Sequence, residues 1–184
     1  MKHIISPAAY LFVIAAFATA LLVVVHAITY EPIQRQLQEA QERNMRLVLP
    51  TAEEFVQRED FTPVGNMQAV FDARSGGRDV GVVISLNPSG YSGNIDMIVG
   101  ICTEQNNISG MRIVRHTETP GFGDAAVRTP FYSQFDNRPL NPLTVVSRNA
   151  TGDQIDSIAA STITTVAIVS GVNDAIEWYR GGGR

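Results

Sequence analysis

Hydroxyl side chains crowd one short stretch, "IDSIAASTITTVAIVSGVNDAIEWY", running from Ile155 to Tyr179. Ser157, Ser161, Thr162, Thr164 and Thr165 all fall at the start of a run whose later half reads as a buried helix. A hydroxyl at a helix start can act as an N-cap, a role open to Ser161 or Thr162 that contributes about 1 kcal/mol and needs no ligand. Two further stretches have types and spacings suited to chemistry. In "RHTETPGFG", Arg115 to Gly123, the residues Pro120, Gly121 and Gly123 form a tight turn whose backbone amides can face a ligand. In "NPSGYSG", Asn87 to Gly93, Tyr91 stands at the tip of a hairpin connection. Each of these is also readable as a plain turn. Acid–base and nucleophilic chemistry find little support. His3 and His26 belong to the apolar N-terminal stretch, so His116 alone is available for a triad or a metal site. No P-loop occurs, and no G-x-G-x-x-G lies between a strand and a helix. Any chemistry the chain performs is expected to come from a cofactor.

The elements that must position these residues are legible from periodicity. "MQAVFDA", "DVGVVISL", "DMIVGICT" and "SGMRIVRH" are short β-rich runs separated by the turn-forming "RSGGR", "NPSGYSG" and "EQNNI", which predicts an antiparallel meander. A turn-rich segment from His116 to Pro142 follows, then a strand over "LTVVS" and a final helix from about Ser161. In that helix Ile163, Val166, Val169, Ile176 and Tyr179 approximate an apolar stripe, and "GGGR" ends it. The fold class is α+β, with helices packed on an antiparallel sheet.

Upstream, no charged residue lies between Lys2 and Glu31. "AAYLFVIAAFATALLVVVHAITY" is long enough for a hydrocarbon core that needs about 20 residues, whereas a signal-peptide core runs only about 7–15. Residues 1–30 are therefore read as a transmembrane anchor, against the alternative of cleavage near Val25-His26-Ala27. Lys2 before the helix and Glu31 after it favour a cytoplasmic N-terminus and an extracytoplasmic remainder. Residues 31–50, "EPIQRQLQEAQERNMRLVLP", read as a helical stalk closed by Pro50. Thr51 and Glu54 stand at capping-box spacing, which predicts another short helix. Residues 51–184 form the head domain.

Composition removes other classes. With 14 basic and 18 acidic side chains the formal charge is -4, so no basic field invites nucleic acid. Cys102 is the sole cysteine, which leaves no intrachain disulfide and no cysteine-held cluster. A pilin-like protein would share the apolar helix, stalk and β-rich head, but "MKHIISPAAYLF" lacks the Gly cleavage site and early Glu of such precursors. A solute-binding extracytoplasmic domain without redox chemistry is a further alternative.

The order of a single N-terminal membrane helix, a glycine–tyrosine turn, the loop Glu118-Thr119-Pro120-Gly121-Phe122-Gly123 and a hydroxyl-rich helix start resembles a family. The chain looks like the flavin-carrying G subunit of Rnf-type ion-translocating oxidoreductases. The C subunit of sodium-pumping NADH:quinone reductases shares that FMN-binding domain. The resemblance implies an electron-transfer subunit of an inner-membrane ferredoxin:NAD oxidoreductase coupled to ion translocation, not a stand-alone enzyme. It implies other membrane subunits as partners, contact with membrane lipid, and a flavin transferase for maturation. In the family an Asp precedes a Ser/Thr-Gly-Ala-Thr motif whose last Thr carries FMN through a phosphoester. Here Asp156 matches the Asp and Thr162 the acceptor, with Thr164 and Thr165 matching the hydroxyl residues that follow. Ala159, Ala160 and Ser161 depart from the pattern. A Gly at the place of Ala160 would serve a positive φ or a close approach, and Ser161 adds a rival hydroxyl. On this resemblance the phosphate meets the amides of the helix start, while Phe122, Tyr91, Thr119 and the backbone of the Glu118 loop contact the ring.

Overall fold

The computed structural model describes residues 2–119 and 123–183, apart from the side chains of 2–9, 32–38, 123, 124 and 129. The chain divides into two units, Met1–Gln41 and Glu42–Arg184. The first is helical from Lys2 onward. Helix α1 (Lys2–Val48) runs through the expected anchor–stalk boundary without interruption, and within it Tyr10–Glu31 is long and apolar enough to cross a membrane. Its apolar side chains, from Tyr10 to Tyr30, are exposed rather than packed against protein.

The second unit is built on a six-stranded antiparallel sheet. Strands β1 (Glu54–Gln57), β2 (Met67–Ser75), β3 (Arg78–Leu86), β4 (Ile95–Cys102), β5 (Asn107–His116) and β6 (Arg138–Pro139) pair in sequence order, the meander that the turn signals imply. A 3-10 turn (Gly123–Val127) and a short helix α2 (Thr129–Tyr132) follow β5. Strands β7 (Thr144–Val146) and β8 (Gln154–Asp156) make a separate parallel pair, and helix α3 (Thr162–Arg180) completes the unit.

Both faces of the sheet are covered, which explains why β4 reads as a continuous apolar run and not as an alternation. On one face Val82, Ile84, Met97, Val99 and Ile101 pack with Ile168, Val172, Ile176 and Tyr179 of α3. On the other, Val83, Ile98 and Cys102 pack with Met45, Val48 and Leu49 from the last turns of α1 and the residue after it. At about 1.5–3 kcal/mol per fully buried aliphatic side chain, the first core is what fixes α3 on the sheet.

Two local expectations are corrected. Residues Thr51 to Phe55 do not open a helix. Glu54–Gln57 is instead an edge strand in register with β2, Glu54 opposite Arg74 and Gln57 opposite Phe71, because pairing and the burial of Phe55 override the capping-box spacing. The apolar stripe of α3 also fails in its first turns. Ile163 and Val166 are 58% and 50% exposed, and the inward positions there belong to Thr164, Thr165 and Ile168.

Candidate functional site

Strand β8 delivers the chain into a tight turn directly before α3. The Ser161 amide donates to the Ile158 carbonyl at 3.0 Å, closing a four-residue turn over Ile158-Ala159-Ala160-Ser161. Its third residue, Ala160, has φ +59, the left-handed sign that type II turns require at that place and that Gly adopts most easily. Thr165, one turn into α3, braces this turn from inside. Its Oγ1 accepts from the Ile158 amide at 3.0 Å and donates to the Ser161 carbonyl at 3.0 Å.

Four polar or charged side chains are buried among the described residues: Glu118, Ser161, Thr164 and Thr165. All four meet here. The Ser161 hydroxyl donates to Thr164 Oγ1 at 2.8 Å, and Thr164 donates to Glu118 Oε2 at 2.7 Å. The other carboxylate oxygen, Oε1, accepts the Ser92 amide at 3.0 Å, which draws the Asn87–Gly93 connection onto the segment after β5. Gly90 makes that approach possible, since a Cβ there would overlap Glu118 Oε1 and crowd the Gly93 carbonyl. Ser92 Oγ and Thr119 Oγ1 lie 3.4 Å apart across the same junction.

Ser161 occupies the N-cap position of α3, yet its side chain makes no capping bond to the helix amides; its hydroxyl donates to Thr164 Oγ1. The amides of the first turn are thus left for another acceptor, at the positive end of the helix dipole. Thr162 is exposed at this end and, among the described residues, its hydroxyl has no protein partner.

A cavity of about 580 Å³ opens at the helix start, lined by Tyr91, Glu118, Thr119, Ala160, Ser161, Thr162 and Ile163. That volume lies within the usual range for cofactor pockets. Five residues expected from the sequence are therefore brought together: Tyr91, Glu118, Thr119, Ser161 and Thr162. Thr165 stands behind the wall as a brace. Asp156 does not line the cavity. Its Oδ1 accepts the Ala150 amide at 2.8 Å, and its backbone amide donates to Gln134 Oε1 at 2.7 Å, so it shapes the entry to the turn. Gly121 and Phe122 lie outside the described residues, and Gly123 opens the 3-10 turn. Sequence reasoning missed Gly90, Ser92 and Ile163 as parts of the site. Only the Gly of the glycine–tyrosine turn carried a signal for the first.

The residues present fit FMN. An uncapped helix start with a free hydroxyl suits its phosphate, and a cavity with an apolar wall (Ile163), an aromatic side chain at its mouth (Tyr91, 72% exposed) and polar groups (Glu118, Thr119) suits its ring.

Comparisons with known proteins agree with this geometry. Residues 90–177 match the FMN-binding domain family, and residues 1–48 match the RnfG N-terminal region. The G subunit of the ion-translocating oxidoreductase complex of Methanosarcina acetivorans is 34% identical over 96% of this chain and 95% of its own length. The G subunit of the Na(+)-translocating ferredoxin:NAD(+) oxidoreductase complex of Acetobacterium woodii is 30% identical over 92% and 88%. Among solved structures, the C subunit of the Na(+)-translocating NADH-quinone reductase from Parabacteroides distasonis superposes with a TM-score of 0.61 at 18% identity, over 80% of this chain and 94% of that one. NqrC of Shewanella oneidensis gives 0.53 at 20% identity over 59% and 54%. These two establish the likeness of fold. With an FMN-binding domain, a matching N-terminal region and relatives aligned over nearly its whole length, the chain belongs to the family of G subunits of Rnf-type ion-translocating oxidoreductase complexes.

Proposed function

We propose that this protein carries FMN as a phosphoester of Thr162 and relays electrons within a membrane-bound, ion-translocating ferredoxin:NAD oxidoreductase. The observation that carries the attachment point is the fate of the hydroxyls. Ser161, Thr164 and Thr165 are buried and engaged in hydrogen bonds, whereas Thr162 is exposed, lines the cavity and stands at an uncapped helix start. FMN supplies chemistry that no side chain here has, the reversible uptake of one or two electrons. The chain's own residues present the acceptor oxygen, offer amides to the phosphate and enclose the ring. Maturation requires a transferase. It forms the Thr162 Oγ1–phosphorus bond and breaks a phosphoanhydride of an activated flavin donor; the hydroxyl proton and the second phosphate group depart. The partners are the other membrane subunits of the complex, and the apolar part of α1 holds the protein in lipid.

The test is tandem mass spectrometry of the tryptic peptide Asn149 to Arg180, from cells that express the complex and the transferase, beside in-gel flavin fluorescence after SDS denaturation. The expected result is an FMN mass on Thr162, and loss of fluorescence in Thr162→Ala with the domain still folded. Because Thr162 does not cap α3, that substitution is expected to change stability by less than about 0.5 kcal/mol, as an exposed residue. FMN on Ser161 would displace the site by one residue. An unmodified peptide from the complete complex would overturn covalent attachment.

A further inference from the structure

Glu118 has a second consequence for the cavity that it lines. It is 7% exposed, and both of its oxygens accept hydrogen bonds, Oε1 from the Ser92 amide and Oε2 from Thr164. An ionised carboxylate can accept both bonds. Among the described residues it is the one buried charged side chain, no ion pair includes it, and no Lys or Arg lines the cavity. Ser161, Thr164 and Glu118 form one chain of hydrogen bonds that ends on the carboxyl group. The relay from Ser161 through Thr164 keeps the carboxylate in place and disperses part of its charge without cancelling it.

We infer that Glu118 sets the reduction potential of the flavin held in this cavity, its uncompensated negative charge opposing the gain of electrons by the ring. A fixed charge held in protein acts on a neighbouring redox group more strongly than it would in water. The inference rests on the FMN reading. Glu118 acts here through its field and is a positioning and tuning residue. Thr164 modulates it: removing the donor leaves the charge and strips away part of its dispersal.

The test uses the full chain, matured in its complex and purified in detergent, with the flavin's midpoint potential followed by spectroelectrochemical titration at one pH. Glu118→Gln should favour the reduced flavin by about tenfold in the equilibrium constant, which is ~30 mV upward for a two-electron couple. Thr164→Val should displace the equilibrium in the opposite sense. A fluorescent Glu118→Gln protein whose potential is unchanged or lowered overturns the inference, as do shifts of the same sign in the two variants. Where Glu118→Gln does not fold or takes up no flavin, the sign for Thr164→Val decides alone, and an unchanged or raised potential overturns it. Wild-type protein that carries no flavin removes the FMN reading, and this inference with it.

Discussion

Ala160 holds a backbone conformation that its Cβ resists. A non-Gly residue in the left-handed region costs on the order of 1–3 kcal/mol, and the strain persists because neighbouring bonds fix the turn on both sides. Ala160→Gly should relieve it. After deduction of about 0.4–1 kcal/mol for the freer unfolded chain, the variant is expected to gain roughly 1 kcal/mol, seen as a higher denaturation midpoint with an unchanged slope. A midpoint at or below that of the wild type would mean that the turn is not strained at this residue. At Ala160, where the motif implied by the family resemblance has Gly, the backbone follows the glycine-compatible path.

The joint between the acceptor turn and α3 depends on Thr165. Its single hydroxyl satisfies the Ile158 amide and returns a proton to the Ser161 carbonyl in a fully buried setting. Thr165→Val keeps the shape and abandons the amide. The expected cost is about 1–3 kcal/mol, with Thr165→Ser recovering most of it in urea titrations. Equal stabilities for Val and Thr would show that the brace is dispensable. The four long strands and the start of α3 were legible because alternation and turn residues are local signals. The inner orientation of Thr164 and Thr165 was not. Spacing alone put Ile163 and Val166 on the buried face, and only the docking of α3 reveals that Thr164 turns inward to reach Glu118 and Thr165 to brace the turn before the helix. Thr51 to Phe55 misled for the related reason that a capping signal is weaker than a neighbouring strand edge. The loop from Glu118 to Gly123 was recognisable as a motif, yet the partners of its Glu lie 26 and 46 residues away, beyond any local pattern.

For the molecule as a whole, the 22-residue apolar span within α1 predicts behaviour as an integral membrane protein. It should stay in the pellet after washes with high salt and with alkaline carbonate, because about 20 apolar residues do not leave lipid when charges are screened. Release by either wash would contradict the anchor. The charge asymmetry of Lys2 against Glu31 predicts that protease added to intact spheroplasts digests the domain from Thr51 onward, and full protection would reverse that orientation. The hydrogen-bonded assembly of Ser92, Glu118, Ser161 and Thr164 has a consequence for the order of events during biogenesis. Before α3 docks, the segment from Ser157 to Thr165 presents five chemically similar alcohols to a modifying enzyme. Once docked, three of them are withdrawn into the relay and the brace, Ser157 is half-buried and does not line the cavity, and Thr162 stands exposed on the cavity wall at the helix start. On the attachment proposed above, folding would supply the regioselectivity, and a flavin on Thr162 would record that the sheet, the hairpin turn and the last helix had already come together.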